Sequence, residues 1–266
     1  MKTGFYKSNR DYSENLRDTD PRQHQSLPSL CSSQAFYAKY IRRLSADCPP
    51  DFHLLDVGCG VGQVVQALKE QGFCAHGVDV SETSIEIAKA HSETCQVYDG
   101  HRIPFPDASF QAVGAFNVLE HVEDPVSFLD EMDRVLRPGG RMVVSSPNFL
   151  RVLGWKDYHP RMRGIGQKWK NLKTIMARRK RYASDENCIV FEKMIPIVRP
   201  DPMPDDDATV VTNSFDLQRY FQVRDYRQIK VSCVDRPVPR FVEALLDATF
   251  VRFLMLNSFV EALKPT

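Results

Sequence analysis

Three alternating glycines follow an acidic residue and a short apolar run near the start of this 266-residue chain. Positions 53–57 read HLLDV, and positions 58–62 read GCGVG. A buried strand that leads into such a turn brings backbone amides close to a ligand at the start of the next helix. Glycine suits the turn because it has no Cβ and tolerates positive φ. The pattern predicts a binding site made largely of backbone atoms.

The spacing of these glycines separates two classes of ligand. Dinucleotide enzymes use the pattern G-x-G-x-x-G. Here the third glycine of that pattern is replaced by Gln63, and glycine occurs one residue earlier, at Gly62. A nicotinamide-dependent oxidoreductase is therefore disfavoured as an alternative, and comparing NADH with other ligands in a binding experiment would test it.

Acidic residues end the next two predicted strands. Asp79 ends the run 73–79, and Asp99 ends the run 96–99. An acid at the end of the second strand, about 20 residues beyond the glycine turn, suits the two hydroxyls of a ribose. The alternative role for Asp79 is helix capping, although Ser81 is the residue we expect to cap the helix predicted over 82–91.

Further segments resemble one family over residues 54–148. These are the glycine turn in the form D-x-G-x-G-x-G, the loop 100–110 (GHRIPFPDASF), the segment 117–125 (NVLEHVEDP) and the segment 137–148 (RPGGRMVVSSPN). Together they resemble the motifs of class I S-adenosylmethionine (SAM) methyltransferases of the type-11 family. One departure is Gln111, where that family usually has aspartate, and it lies outside the expected cofactor site.

The resemblance implies a fold, a cofactor and a set of cofactor contacts. The fold is an α/β, doubly wound, Rossmann-like sheet of seven strands in the order 3-2-1-4-5-7-6, with the last strand antiparallel. The cofactor is SAM. Within this family the acid at Asp99 accepts from the adenine amino group, and the amide of Gly100 meets the ring. The cofactor-binding residues that the resemblance implies are Asp56, Gly58, Cys59, Gly60, Gly62, Asp79, Val80, Asp99, Gly100, His101 and Asn117.

Asn117, Glu120 and His121 follow the fourth predicted strand, where the methyl group is expected to point. In the ubiquinone-biosynthesis O-methyltransferases that this segment resembles, Glu-x-x-Glu-His ligates a divalent cation. Asn117 takes the place of the first glutamate here, so we predict no metal. His121 is the candidate general base, because an imidazole titrates near neutral pH. The structural alternative is that Glu120 and His121 only shape the pocket and cap the following helix.

About sixty residues separate the fifth strand from the next helix, whose cap we expect at Ser214. Loops of this length are usually functional or disordered. We expect the insertion 149–208 to be a lid that binds the acceptor, with contacts from Tyr158, Arg161 and Arg163. Its interleaved cations and aromatic residues indicate a small-molecule acceptor that carries an anionic group. For the run 178–181 alone, a solvated basic helix is an equally good interpretation.

Composition favours a single domain that spans residues 1–266. We divide it into an N-terminal arm and helix (1–47), a cofactor-binding core (48–148), the lid (149–208) and a C-terminal completion of the sheet (209–266). The resemblance implies that Tyr6 or Tyr12 of the arm touches the methionine end of the cofactor, and a disordered tail is the alternative. The closing strand, 257–265, is assigned by the resemblance, because its pattern alone would pass for a helix.

Charge and cysteine content limit the partners and the compartment. The net charge of +1 argues against a nucleic-acid acceptor. Seven cysteines without a Cys-x-x-Cys pair indicate a reducing compartment. The apolar stretch 241–256 is interrupted by charges, so we expect no membrane span and a cytoplasmic protein. The expected function is methyl transfer to an oxygen of a small metabolite or sugar. A non-catalytic SAM-binding scaffold, or a methyltransferase that acts on nucleic acid or protein, is the alternative.

Overall fold

The computed structural model describes residues 30–90, 92–154, 157–199, 203–232, 245–255 and 257–266. The interpretation of Tyr6 and Tyr12 as cofactor contacts falls outside these residues. Within them, no helix is both long enough and apolar enough to cross a lipid bilayer.

In the described residues, nine strands form two sheets. They are β1 (His53–Val57), β2 (Cys74–Asp79), β3 (Cys95–Val97), β4 (Phe110–Phe116), β5 (Leu136–Pro147), β6 (Glu192–Lys193), β7 (Val210–Val211), β8 (Arg227–Ser232) and β9 (Asn257–Leu263). The large sheet has the order β3-β2-β1-β4-β5-β9-β8, whereas β6 of the insertion pairs separately with β7, which lies just after the insertion. Strand β9 runs antiparallel to both of its neighbours. Counted over the large sheet alone, this is the predicted order 3-2-1-4-5-7-6 with an antiparallel last strand, which is confirmed.

Helices cover both faces of the sheet, as expected for a doubly wound fold. They are α1 (Leu30–Leu44), α2 (Gln63–Glu70), α3 (Glu82–Lys89), α4 (Pro125–Val135), α5 (Ile165–Ser184) and α6 (Ser214–Val223). One core contains Phe128 of α4 and Leu217 of α6, and the other contains Tyr40 of α1, Val65 of α2 and Ile85 of α3. Apolar residues at helical spacing build each face.

One helix is capped by the residue that the sequence predicts, and two helices are capped by other residues. Ser81 caps α3 as predicted, because its side chain accepts from the amide of Ser84. Glu120 and His121 do not cap α4; the residue that does is Asp124, which directly precedes the helix. Likewise Asn213, and not Ser214, caps α6. In both corrected cases the capping residue lies one position before the first helical residue, where its side chain reaches the free amides of the first turn.

The fifth strand begins earlier than the RPGG segment suggests. Phe110 pairs with Leu136 and Ala112 pairs with Arg141, so residues 137–140 bulge out between two paired positions. Gly139 has a φ of 73°, which a glycine accommodates without strain. The strand then ends at Pro147, and the insertion leaves from the carboxyl edge of the sheet.

Candidate functional site

The glycine turn after β1 is held against the end of β2. The amides of Gly58 and Cys59 both donate to the carbonyl oxygen of Val78, at 2.7 and 3.0 Å. Gly58 has a φ of 77°, and a Cβ on it would lie 2.2 Å from Cγ2 of Val118. The turn is thus fixed between the end of β2 and the segment that follows β4, and only glycine fits at position 58.

The open side of this turn can accept a ligand. A Cβ added at Gly60 would meet no atom within 4 Å. The side chain of Cys59 is buried beneath the turn. The turn therefore presents backbone atoms, and not the thiol, to the space above it.

Asp79 is positioned by the glycine turn itself. Its Oδ2 accepts from the amide of Gly60 at 2.8 Å, and its Oδ1 accepts from the amide of Ser81 at 2.9 Å. Burial raises the pKa of this carboxyl. Each carboxylate oxygen has a second lone pair, so both remain able to accept from a hydroxyl group.

Asp99 lies at the neighbouring strand end and is exposed. Its Oδ1 accepts from the amides of Arg102 and His101, each at 2.8 Å, and these bonds lower the pKa of the carboxyl. A Cβ on Gly100 would lie 3.3 Å from Cγ1 of Val80, so these two residues are neighbours. Val80 is 39% exposed and offers an apolar surface of the kind that a flat ring requires.

A buried pair that the sequence did not reveal lies below the turn. Tyr40 of α1 donates its hydroxyl hydrogen to Oδ1 of Asp56 at 2.7 Å. Burial is the main cause that raises the pKa of Asp56 to about 7. A Cβ on Gly114 would lie 2.2 Å from the Tyr40 hydroxyl oxygen, so a glycine in the middle of β4 makes room for this contact.

After β4, a short turn carries Glu120 and His121. Asn117 precedes it with a φ of 54°, which is uncommon for a residue other than glycine and is often found at functional sites. Glu120 is fully buried, and neither of its carboxyl oxygens has a hydrogen-bond partner in the described structure. Burial, followed by the charges of Asp205 and Asp207, raises the pKa of Glu120 well above its usual range.

His121 lies among acidic side chains that come from two parts of the chain. Its Nε2 is 3.8 Å from Oε1 of Glu120, and its Nδ1 is 3.3 Å from Oδ2 of Asp207. The hydroxyl of Tyr158 donates to Oδ2 of Asp205 at 2.5 Å. The residue just after the insertion also contacts the turn, because the amide of Thr209 donates to the carbonyl of Glu120 at 2.8 Å.

The three residues predicted to contact the acceptor have different surroundings. Tyr158 reaches the group around His121 through Asp205. Arg161 pairs instead with Glu192 at 3.0 Å, and Arg163 is exposed just before α5. No role is predicted from the sequence for residues 205–207, and their run of three aspartates is the signal that could have drawn attention to them.

Glu120, His121 and Asp205 form a group that could hold a cation. Each offers one ligand atom, and these atoms lie within 4.8 Å of one another. We based the expectation of no metal on Asn117, which replaces an acid close in sequence. The insertion supplies Asp205 as a third group from a distant part of the chain. The absence of a metal therefore stays a prediction. The replacement of an acid by Asn117, on which this prediction rests, concerns only the segment after β4 and not Asp205.

Comparisons with known proteins agree with this geometry. Residues 55–144 match a family described as a methyltransferase domain, of type 11. The chain is 30% identical over 138 residues to a protein of Mycolicibacterium smegmatis named as an SAM-dependent methyltransferase, which covers 50% of this chain and 53% of that protein. It is 36% identical over 102 residues to the ubiquinone biosynthesis O-methyltransferase of Coxiella burnetii, with 36% and 44% covered. The chain thus spans about half the length of the curated relatives it matches.

Solved structures show the same fold. An SAM-dependent methyltransferase from Mesorhizobium loti aligns with a TM-score of 0.55 and 16% identity, over 88% of this chain and all of that one. One from Aquifex aeolicus aligns with a TM-score of 0.51 and 14% identity, over 92% and 99% of the two chains. The sheet order, the glycine turn and the family match agree: residues 55–144 of this chain match the type-11 methyltransferase domain, and its sheet has the fold of the SAM-dependent methyltransferases.

Proposed function

We propose that the protein transfers a methyl group from SAM to an oxygen of a small-molecule acceptor. The observation that carries the proposal is that the glycine turn with Asp79 and the turn with His121 both follow strands at the carboxyl edge of one sheet. Ligands of open α/β sheets bind beyond this edge. The similarity to a ubiquinone biosynthesis O-methyltransferase supports oxygen as the methylated atom.

The residues at the glycine turn fit this cofactor. Asp79, fixed by two backbone amides, would accept from the ribose hydroxyls. Asp99, with Val80 and Gly100 beside it, would hold the adenine. Asp56 lies beneath the turn and would face the amino-acid end. When bound, SAM supplies a methyl group on a positively charged sulfur. The protein's main task is then to hold the acceptor in line with that group.

His121 is the residue that we assign to proton transfer. Its Nε2 would take the proton from the acceptor hydroxyl as the oxygen becomes the nucleophile. Asp207 lies 3.3 Å from Nδ1, where its charge stabilises the protonated imidazole. The side chain of His121 is 29% exposed, so an acceptor can approach it from solvent.

The insertion 149–208 completes the acceptor site in this proposal. Tyr158 contributes through Asp205, beside His121. Arg161 and Arg163 are the acceptor contacts predicted from the sequence, and substitution of Arg161 tests whether its pairing with Glu192 leaves it free to bind the acceptor.

Calorimetry with SAM tests the cofactor half of the proposal. Loss of a charge-assisted hydrogen bond costs about 1.5–3 kcal/mol, so Asp79→Asn should weaken SAM binding by about 10- to 100-fold. The matched control is Asp51→Asn, which changes an exposed aspartate outside the site. Unchanged affinity in a folded Asp79→Asn protein would contradict the assignment, and tight NADH binding would favour an oxidoreductase.

Transfer of a labelled methyl group to metabolites from a cell extract tests the catalytic half. General-base catalysis contributes about 10²- to 10⁴-fold, so His121→Gln should lower the rate to this extent while SAM binding is retained. A protein that binds SAM but labels nothing would be the non-catalytic alternative. A wild-type rate in His121→Gln would remove the histidine from the mechanism.

A further inference from the structure

Three acids around His121 carry more negative charge than their surroundings balance. We call Glu120, Asp205 and Asp207 the acidic cluster. Among the ion pairs in the described ranges, those that reach this cluster come from His121, at 3.8 and 3.3 Å. The raised pKa of Glu120 favours its neutral form, but a single imidazole, even when protonated, does not balance the charges of Asp205 and Asp207 together.

The cations of the insertion are engaged elsewhere. Arg161 and Arg178 each pair with Glu192 at 3.0 Å. Arg199 pairs with Asp206 at 2.6 Å. Asp206 lies between Asp205 and Asp207 in the sequence, but it is not one of the three acids of the cluster. Lys168 pairs with Asp157 at 2.9 Å. These pairs show that the insertion contains enough cations to neutralise the cluster and yet directs them to other acids.

Glu120 shows that a partner is missing. A buried carboxyl group requires a hydrogen-bond partner whether it is protonated or ionised. Glu120 is fully buried, and both of its oxygens lack one in the described structure. Water could provide a hydrogen bond to the neutral carboxyl group, which burial favours. A positively charged ligand would also provide one, and it would balance the charges of Asp205 and Asp207.

We propose that the acidic cluster binds a positively charged nitrogen of the acceptor, such as the ammonium group of an amino alcohol or of a phenolic amine. This inference rests on the methyltransferase function proposed above, since it places the acceptor beside His121. It also gives the acceptor a charge opposite to that predicted from the basic residues of the insertion.

The spacing of the cluster suits a protonated nitrogen. Hydrogen-bond acceptors at about 2.9 Å from such a nitrogen stand about 4–5 Å apart when they are arranged tetrahedrally. One carboxylate oxygen of Glu120 and one of Asp205 lie within 4.8 Å of each other. By contrast, adjacent ligands of a magnesium ion at about 2.1 Å stand about 3 Å apart. The separation of 3.8 Å between His121 and Glu120 exceeds that value.

The cluster is accessible and held in place. The side chain of Asp207 is 48% exposed, which leaves a path from solvent. The Tyr158 hydroxyl fixes one oxygen of Asp205 at 2.5 Å. An acceptor that places its ammonium here would bring a hydroxyl on a short linker toward His121. Three bonds between the nitrogen and the hydroxyl oxygen, as in ethanolamine, define the smallest acceptor of this class.

Binding of three matched probes to the full chain, saturated with S-adenosylhomocysteine, tests the inference. The probes are ethanolamine, ethylene glycol and glycolate, which share a hydroxyl and differ in charge. Tyramine, 4-ethylphenol and 4-hydroxyphenylacetate form a larger set of the same design. We expect the cationic probe of at least one set to bind saturably and at least about tenfold more tightly than its neutral analogue, because one charge-assisted contact is worth that much. The anionic probe should not bind.

Two variants locate the binding. Asp207→Asn and Asp205→Asn should each weaken the cationic probe by at least about fivefold while Asp51→Asn does not, because each removes one charge. Asp207 is half exposed, so its variant is expected to fold. If the three probes bind equally, if none binds, or if the variants bind like the wild type, the inference is wrong.

A metal titration tests the main alternative, which is that the acidic cluster binds a metal ion. Saturable binding of manganese alone that is lost in Asp205→Asn and displaces ethanolamine would assign the cluster to a metal and overturn the inference. The affinity for S-adenosylhomocysteine is measured in the same experiments. If it is absent while ethanolamine still binds, the methyltransferase proposal fails and the cation site stands. If it is normal while the cationic probes fail, only the inference fails.

Discussion

The glycine turn after β1 and the insertion after β5 both leave the carboxyl edge of the sheet, and they form their binding groups differently. Around the turn, backbone amides fix the essential acid: Gly60 and Ser81 hold Asp79 from within two dozen residues of sequence. In the insertion, side chains meet across long separations. Tyr158 and Asp205 are 47 residues apart, and Thr209 lies 89 residues beyond Glu120.

This difference determines what each region tolerates. A site made of backbone is insensitive to most side-chain changes, but it fails when a Cβ enters a turn that has no room for one. A site made of paired side chains fails when one partner is removed, because the other is left buried and unpaired. The following substitutions test the contrast from the largest expected effect to the smallest.

Asp216→Ala should cause the largest loss of free energy of unfolding, because Asp216 attaches the insertion to the rest of the domain. Asp216 is fully buried; it lies against Arg178 and accepts from Tyr182 at 2.5 Å and from Asn213 at 2.6 Å. Removing one member of a buried ion pair costs about 3–5 kcal/mol. Urea unfolding would measure the loss, with exposed Glu186→Ala as the control. A loss comparable to that of the control would mean that these side chains do not anchor the insertion.

Asp56 provides a pH-dependent test of the cofactor region. Its pKa is raised to about 7 in the fold, from an ordinary value of about 3.9 when unfolded. The folded state therefore binds an extra proton between these values, and its stability is full below about pH 4 and declines as the pH rises through about 7. The decline is on the order of 4 kcal/mol. Glu120 and Asp79 act in the same direction, so Asp56→Asn should flatten the slope only partly.

Measurement of the free energy of unfolding from about pH 4 to pH 8 would show this slope. Asn at position 56 keeps an oxygen for the Tyr40 hydroxyl, so the fold itself should persist. Equal slopes in the wild type and in Asp56→Asn would contradict the burial of an ionisable carboxyl at this position.

Gly58→Ala tests the turn directly. The new Cβ would lie 2.2 Å from Cγ2 of Val118, in a residue whose φ is 77°. A left-handed conformation costs about 1–2 kcal/mol, and overpacking costs about 1–3 kcal/mol, so we expect a loss of about 3 kcal/mol together with weaker SAM binding. Gly166→Ala is the matched control, because a Cβ there meets nothing within 4 Å in a helix. It should be neutral or stabilising by up to about 1 kcal/mol.

The same contrast explains what could be predicted from the sequence. The turn and the Ser81 cap depend on local patterns, and both were predicted from the residues. The strand order was implied by the resemblance to the type-11 methyltransferases. The contacts of Asp205 with Tyr158 and of Tyr40 with Asp56 join distant segments, so no local pattern reports them. Strand β9 is an intermediate case between the features that were predicted and those that were not. Its sequence pattern would pass for a helix, and pairing with β5 and β8 overrides this preference.

Arg161→Ala should have the smallest effect, and it distinguishes the two acceptor hypotheses. Arg161 pairs with Glu192, and their side chains are 30% and 41% exposed. Such exposed pairs contribute about 0–1 kcal/mol, so the free energy of unfolding should change by less than that. Because its charge is already balanced by Glu192, we expect the Michaelis constant for the acceptor to change by less than about threefold. Arg163→Ala, in the same loop, is the matched variant. A tenfold or greater rise in the Michaelis constant for Arg161→Ala corresponds to about 1.4 kcal/mol. Such a rise, with unchanged SAM affinity, would favour the hypothesis that the acceptor carries an anionic group. It would also show that the insertion recognises its ligand through its cations and not through the acids around His121.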